Sequence, residues 1–370
     1  MSSLLQYPIA LSMLPRVGAV NGRRLVAYLG SAEAVFKCTL SQLKNIPGIS
    51  EGMISNVLNK RHETLEKAKR ELEFIQRHGI KTSFYPDKDY PRRLAQCEDA
   101  PVVLFSKGDI NLNHQRIISI VGTRNATEYG RELTNHLLEE LAKSGIDPLV
   151  VSGLAYGIDV AAHKAALKNQ LSTAGVIAHG LDKMYPAVHA SVAREMLANK
   201  GALISDFPSN TKIDPGNFLR RNRIIAGLAD CTIVVESGEK GGALVTADIA
   251  NSYNRDVFAF PGRTSDPASA GCNALIKNNK AAMIESAADL IAFMGWEPSH
   301  IPWQQPLLVE LNAEEEGIVA LLRNSEVATT DYIARSINLP VQKINSLLLD
   351  LEFKGLIKSL PGSRFKLLLK

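Results

Sequence analysis

The sequence predicts an α/β fold, a parallel sheet with helices on both faces, flanked by a small N-terminal helical domain and a C-terminal winged helix. Three observations predict it. Between residues 101 and 297 the apolar runs RIISIVG, DPLVVSG, TAGVIAHG, GALISDF, DCTIVVES and RDVFAFPG recur with helical segments between most of them. Near-continuous apolar strands that alternate with helices belong to a parallel sheet buried on both faces. The first hundred residues read instead as short helices broken by glycines, and the last sixty as three helices followed by a hairpin.

With 370 residues the chain has room for two or three units. The expected divisions are 1–100 for a helical domain resembling helix-hairpin-helix or sterile-alpha-motif modules, 101–297 for the sheet, 298–309 for a linker and 310–370 for the winged helix. In the first unit, Val17-Gly18 turns the chain into an amphipathic helix that Gly30 ends, and Thr39–Leu43 leads into Ile46-Pro47-Gly48-Ile49. Such turns either reverse a helical pair or present amides to phosphate. Residues 61–78 form a charged helix with Leu65, Ala68, Leu72 and Ile75 on one side, expected to pack against the next domain. In the last unit, Thr329 or Thr330 caps the second helix and the hairpin turns at Pro361-Gly362-Ser363.

Bulk charge decides little, because 42 basic and 38 acidic residues nearly cancel. Any anion site must come from local clustering. Cys38, Cys97, Cys231 and Cys272 are widely spaced with no CxxC pair, so the expectation is reduced thiols, no metal site and a cytoplasmic protein. The N-terminal stretch has no basic leader, and no apolar run approaches the length of a membrane span.

In parallel sheets the ligand lies beyond the carboxyl ends of the strands, where this sequence places its unusual residues. After the first run, Gly122 lets the backbone approach a ligand, Thr123 offers a hydroxyl and Arg124 a paired phosphate contact. Neither a dinucleotide fingerprint nor a Walker A loop is present. After the second run, Ser152 and Gly153 open amides toward an anion; Asp159 falls in a first helical turn, where its expected task is to hold the loop and neighbouring arginines. His163 reads as a packed histidine. After the third, Lys183 is a phosphate candidate and Tyr185 either stacks on a base or packs its loop, while Tyr156, after the second run, offers a second stacking face.

DPGNFLRRNRIIAGLAD follows the fourth run. On a helix over 220–228, Arg221 shares the sheet-facing side with Ile224, Ile225 and Leu228 and must lie at the rim, salt-bridged or anion-bound, while Arg220 and Arg223 point away. Three clustered arginines suggest a ligand; a network tying the loop to Asp206 or Asp159 is the alternative. After the fifth run, the Gly241-Gly242 amides and Thr246 form another phosphate cradle, and Glu236 and Asp248 are the acidic candidates for catalysis. No GxSxG elbow or histidine-supported carboxylate pair accompanies them, so no catalytic residue and no cofactor is assigned.

ISIVGTRNATEYG, VVSGLAYGIDVAAH, HGLDKMYP, FLRRNRIIAGLADCTIVVES, GGALVTADIA and DVFAFPG, in this order, resemble the DNA-processing protein A family, also called DprA or Smf. The resemblance covers about residues 101–297. It implies an extended Rossmann-like domain that binds single-stranded DNA through its backbone, protects it and helps load the RecA recombinase in natural transformation, as a dimer formed through that domain. Arg124, Ser152, Gly153, Lys183, Arg221, Asn222, Arg223, Gly242 and Thr246 match the family's motif positions, and the implied pocket binds anions without catalysis. Tyr156 stands where many relatives carry arginine, and Gly241 replaces a usual serine.

From 310 to 370, eight basic and eight acidic residues cancel, which suits protein contact or weak duplex binding better than sequence reading. The competing function is a nucleotide-binding or nucleotide-hydrolysing enzyme related to the lysine-decarboxylase-like phosphoribohydrolases, whose PGGxGT signature EKGGALVTA echoes only vaguely.

Overall fold

The structure, a computed structural model, describes residues 2–296, 311–325, 327–354, 356–360 and 362–367. The segment read as a linker, 298–309, lies outside the described residues, as does Pro361 of the hairpin turn. The chain forms two compact units, Met1–His300 and Ile301–Lys370.

The first unit opens with helices α1 (Ser2–Met13), α2 (Ala19–Leu29), α3 (Ala32–Lys37), α4 (Leu40–Lys44) and α5 (Glu51–Arg77). Gly30 ends α2 in the left-handed conformation, φ 92°, that glycine adopts without steric cost. Thr39 and Gln42 close a capping box on α4. Strand β1 (Lys81–Phe84), helix α6 (Arg92–Ala95) and strand β2 (Val103–Gly108) follow. The sheet then continues with β3 (Ile117–Val121), α7 (Glu128–Lys143), β4 (Leu149–Ser152), α8 (Ile158–Lys168), β5 (Thr173–Val176), α9 (Ala190–Ala198), β6 (Ala202–Ser205), α10 (Pro215–Leu228), β7 (Cys231–Val234), α11 (Gly242–Ser252), β8 (Asp256–Ala259), α12 (Ala270–Lys277), β9 (Ala282–Met283) and α13 (Ala287–Met294).

All six apolar runs are strands, and they pair in parallel within a nine-stranded sheet ordered β1-β2-β6-β5-β4-β3-β7-β8-β9. Strand residues alternate between two cores. Ile117, Val121, Leu149 and Val151 pack under Ile224, Ile225 and Leu228 of α10 and Ala247 of α11. Ile118, Ile120 and Val150 pack on the opposite face under Leu137, Leu138 and Leu141 of α7 and Ile158 of α8. A parallel strand so enclosed has no solvent face, which is why its sequence is apolar throughout.

The expected boundary at residue 100 is not a boundary of the fold. β1 pairs antiparallel with β2, and β2 antiparallel with β6, so the sheet begins at residue 81. The N-terminal helices share one core with Val102, Val103 and Phe105 in and beside β2. Ala68, Leu72 and Ile75 of α5 are buried in it, and the buried Glu71 accepts hydrogen bonds from Ser209 N (2.9 Å) and Ser209 Oγ (2.5 Å) in the loop before α10. The helical region and the sheet are therefore one unit, joined by burial that a helix-by-helix reading does not reveal.

The four cysteines are free and buried, and burial pushes the thiols of Cys97 and Cys272 up to about 11 and about 12. Among the described residues no helix is long and apolar enough to cross a membrane.

His163 is a packed histidine with a measurable consequence. The Thr173 hydroxyl donates to Val150 O (2.9 Å) and so accepts from His163 Nδ1 (2.7 Å), which leaves Nε2 bare, buried and without a partner among the described residues. Burial, with the Arg221 charge, lowers its pKa to about 3. The unfolded chain takes up this proton near pH 6.5, so the stability that the neutral ring contributes is complete above that pH and is lost as the pH falls toward 3. Between pH 6.5 and 5 the wild-type chain is expected to lose about 1.6 kcal/mol more than His163→Gln. Chemical denaturation of both at the two pH values checks this, and parallel losses would refute it.

The second unit is a winged helix of α14 (Ala313–Asn324), β10 (Ala328–Thr329), α15 (Thr330–Ile337), α16 (Val341–Phe353), β11 (Ile357–Leu360) and β12 (Arg364–Leu367). Thr329 caps α15 by accepting from Tyr332 N. On α16, Lys343 pairs with Glu314, and Lys354 just beyond it binds Glu315 (2.6 Å), so both lysines are engaged within the unit.

Candidate nucleic-acid interface

Strand order locates the site. Chain connections run from β3 outward through β4, β5 and β6, then return to the other side of β3 as β7, so β3 and β7 flank the topological switch point. Ligands of open α/β sheets bind in the crevice outside the strand ends at such a point. A cleft of about 430 Å³ opens there, lined by Gly122, Thr123 and Arg124 after β3 and by Ser237 to Ala243 after β7, without Glu239. The facing wall is α10, through Phe218, Leu219, Arg221 and Asn222. A second cleft of about 250 Å³, lined by Tyr156, Tyr185, Pro186, Ile213 and Phe218, shares Arg124, Ala155, Pro215 and Phe218 with the first.

The first cleft is cationic. Arg124, Arg221 and Lys240 line it against the single carboxylate of Asp159. The Arg124 guanidinium lies 5.4 Å from the centroid of the Phe218 ring, a cation–π contact that holds an exposed arginine at the junction of the two clefts. Helix α11 has no side-chain cap; Leu244 N donates to Gly241 O (3.2 Å), which leaves the Gly242 and Ala243 amides ahead of it for another acceptor, and Gly241 and Gly242 are exposed in the cleft wall. A Cβ on Gly242 would meet no atom closer than 3.9 Å, which leaves open space beside those amides.

Several candidates serve the frame of the site. Arg221 does not lie at the rim: it is buried, its Nη1 donates to Gly153 O (2.6 Å) and Val176 O, and its Nε donates to Asn222 Oδ1 (3.3 Å). Burial pushes its pKa down to about 10, against the opposing pull of Asp159. Asp159 is itself buried, and desolvation raises its pKa while Arg221 and the Gly153 and Ala155 amides work the other way. A Cβ on Gly153 would strike Asp159 Oδ2 (2.5 Å) and Arg221 Nη1 (2.6 Å), so glycine there leaves room for both side chains. Its anticipated role of opening amides to a ligand gives way to this packing. Gly122 likewise makes room for Ile158, whose Cγ1 would stand 2.5 Å from a Cβ on that residue, although Gly122 still lines the cleft.

Arg223 leaves the expected cluster. Its Nη2 pairs with Asp206 Oδ2 (2.5 Å) and its Nη1 donates to Asp99 O, on the side away from both clefts, so the fastening alternative describes this arginine. Ser152 is buried and donates to Ile120 O (2.6 Å), Thr246 is buried and donates to Gly242 O (3.0 Å), and Asn222 Nδ2 donates to the same carbonyl (3.3 Å). These hydroxyl and amide hydrogens are used within the fold, which corrects their reading as direct ligands. Thr123 lines the cleft, its amide donating to Glu236 O (2.7 Å). Lys183 lies outside both clefts, 3.8 Å from Asp182, and Arg220 is exposed with its guanidinium 5.2 Å from the Phe207 centroid. The acidic candidates are also engaged: Glu236 accepts from Thr127 N (2.9 Å) and Oγ1 (2.7 Å), and Asp248 pairs with Lys280.

Tyr156 and Tyr185, about half exposed, line the second cleft together with Phe218 and Arg124. Tyr185 is positioned by its amide, which donates to His179 Nε2 (3.1 Å). Sequence reasoning missed Lys240 and Phe218. The signal for Lys240 was its place directly before Gly241-Gly242; Phe218 carried no signal beyond lying just before the arginines.

The DNA recombination-mediator protein A family profile matches residues 81–295, and a DprA winged helix domain profile matches residues 304–363. Protein Smf of Synechocystis sp. is 31% identical over 97% of this chain and 98% of its own length. The DNA processing protein DprA of Bacillus subtilis is 42% identical over 63% of this chain and 77% of its own. Among solved structures, DNA processing protein A of Streptococcus pneumoniae superimposes with a TM-score of 0.66 at 29% identity, covering 78% of this chain and 97% of that one. DNA processing protein A of Helicobacter pylori, whose structure describes a single-stranded DNA binding mode, superimposes with a TM-score of 0.52 at 29% identity over 58% of this chain and 95% of its own. The switch-point cleft, the strand-end motifs in their order and both profiles lead to one conclusion: this chain belongs to the DNA recombination-mediator protein A family, the DprA/Smf proteins.

Proposed function

We propose that this protein is a single-stranded DNA-binding recombination mediator whose binding surface is the double cleft at the carboxyl ends of the sheet. The observation that carries this reading is the contact of a cationic cleft with an aromatic one at Arg124 and Phe218. Phosphates need cations and amides, unpaired bases need flat apolar faces, and only a single strand offers both within one nucleotide. Arg124, Lys240 and the α11 amides take phosphate, while Phe218, Tyr156 and Tyr185 meet bases. Arg221, Asn222 and Asp159 hold the wall in place.

The family reading extends this to protecting the strand and helping to load RecA, with a homodimer through the sheet domain. In the winged helix, Lys343 and Lys354, at and just beyond α16, are already paired with Glu314 and Glu315, so this reading assigns the single-strand contact to the clefts. Hydrolysis of a nucleotide is the weaker reading, because Glu236 and Asp248 are held in structural contacts.

Phe218→Ala tests the aromatic half. Loss of one stacked base weakens binding by about 1–3 kcal/mol, roughly 5- to 150-fold, on labelled oligo-dT. Weak binding to the matching duplex is expected to stay as it was. An oligo-dT affinity equal to wild type would remove base stacking from the account.

A further inference from the structure

The surface beyond the aromatic cleft carries a second cationic region. Lys212 is exposed directly before Ile213, which lines that cleft, and Arg220 is exposed two residues after Phe218, which lines it too. Neither has an acidic partner among the described residues. Asp214, two residues after Lys212, is engaged in capping α10 by accepting from Gly216 N (2.8 Å), and Asp206, next to Phe207, pairs with Arg223. Arg220 is held in place by the Phe207 ring.

The backing of this region is firm. Phe207 is buried against Phe74 and Ile75 of α5 and against Leu181, and Ser209 is fastened to Glu71 by two hydrogen bonds. Cations without acidic partners, Lys212 in the exposed loop and Arg220 on the α10 turn that follows it, lie over a base clamped to α5 and beside a binding cleft, and so offer a continuous track for a polyanion.

We infer that a DNA strand leaving the aromatic cleft continues over Lys212 and Arg220 toward the N-terminal helices, so that the footprint exceeds what the two clefts hold. The inference rests on the single-strand reading above. It assigns phosphate contacts to two residues outside both clefts and gives α5 the task of supporting the track.

The test compares Lys212→Gln/Arg220→Gln with wild type on two labelled oligo-dT lengths, about four nucleotides and about thirty, across a salt series. Glutamine keeps part of the stem on Phe207 while removing the charge. On the long strand the double variant is expected to bind more weakly, and its log–log salt slope to shrink by about 1.4, or about 0.7 per lost phosphate contact. On the short strand both quantities are expected to match wild type. Unchanged slope on the long strand overturns the track, and an equal loss on both lengths assigns the residues to the clefts instead. Arg124→Ala/Lys240→Ala in the same series separates the two ideas, because failure of the cleft reading leaves that variant at wild-type affinity on both lengths. Thermal unfolding of each variant, expected to match wild type, shows that the fold is retained.

Discussion

Arg221→Ala is expected to destabilise the sheet unit by about 3–5 kcal/mol, a large part of the stability of an ordinary domain. The side chain is buried and gathers Gly153 O at the end of β4, Val176 O at the end of β5 and Asn222 Oδ1 on α10. Alanine leaves those acceptors unmatched and leaves Asp159 buried without its cation. The loss should also depend on pH. Removing Arg221 raises the Asp159 pKa further above its unfolded value, so the folded variant gains protons more readily than the unfolded chain and recovers stability as the pH falls. Denaturant unfolding at pH 8 and pH 5 is expected to show the smaller loss at pH 5. Arg221→Ala/Asp159→Asn is expected to lose less than the sum of its single variants. Additive losses and no pH dependence would mean that the pair is not coupled.

The second large effect falls on binding with the fold intact. Arg124 and Lys240 are exposed cations of the switch-point cleft. Arg124→Ala/Lys240→Ala is expected to weaken oligo-dT binding by about two orders of magnitude at low salt, alike for every base composition, because phosphate contacts carry no sequence information. Arg223→Ala, by contrast, removes the partner of a nearly buried Asp206 and acts on stability.

The six central strands were legible because a strand covered on both faces must be apolar at every position. The strand-end glycines and arginines were legible as a group for a related reason: the chemistry of such sheets gathers where the strands stop. Individual roles were less so. The helical spacing of Arg221 with Ile224, Ile225 and Leu228 placed it on the sheet side, yet an unpaired guanidinium was expected to stop at the rim. What lets it go deeper is a pair of strand-end carbonyls, contributed by segments 45 and 68 residues away, together with Asp159. Arg223 shows the same dependence, since its position away from the clefts is set by Asp206 and the Asp99 carbonyl.

Strand β1 and the shared core of α1–α5 with β2 were hidden because four residues, KTSF, make too short a run to distinguish, and antiparallel pairing depends on a distant partner. Phe218 and Lys240 were hidden because they come to line one cleft only when the loop after β7 meets α10. Local spacing reports which face a residue occupies; it does not report what the fold brings opposite.

The most direct test is fluorescence anisotropy of labelled oligo-dT and its matching duplex, titrated with wild type and with Arg124→Ala/Lys240→Ala across a salt series. The account predicts tight wild-type binding to the single strand that weakens steeply with salt, a clear preference over the duplex, and a variant whose salt slope is smaller by about 1.4. Equal affinities and equal slopes for the two proteins would contradict it and would place the contact with DNA elsewhere on the chain.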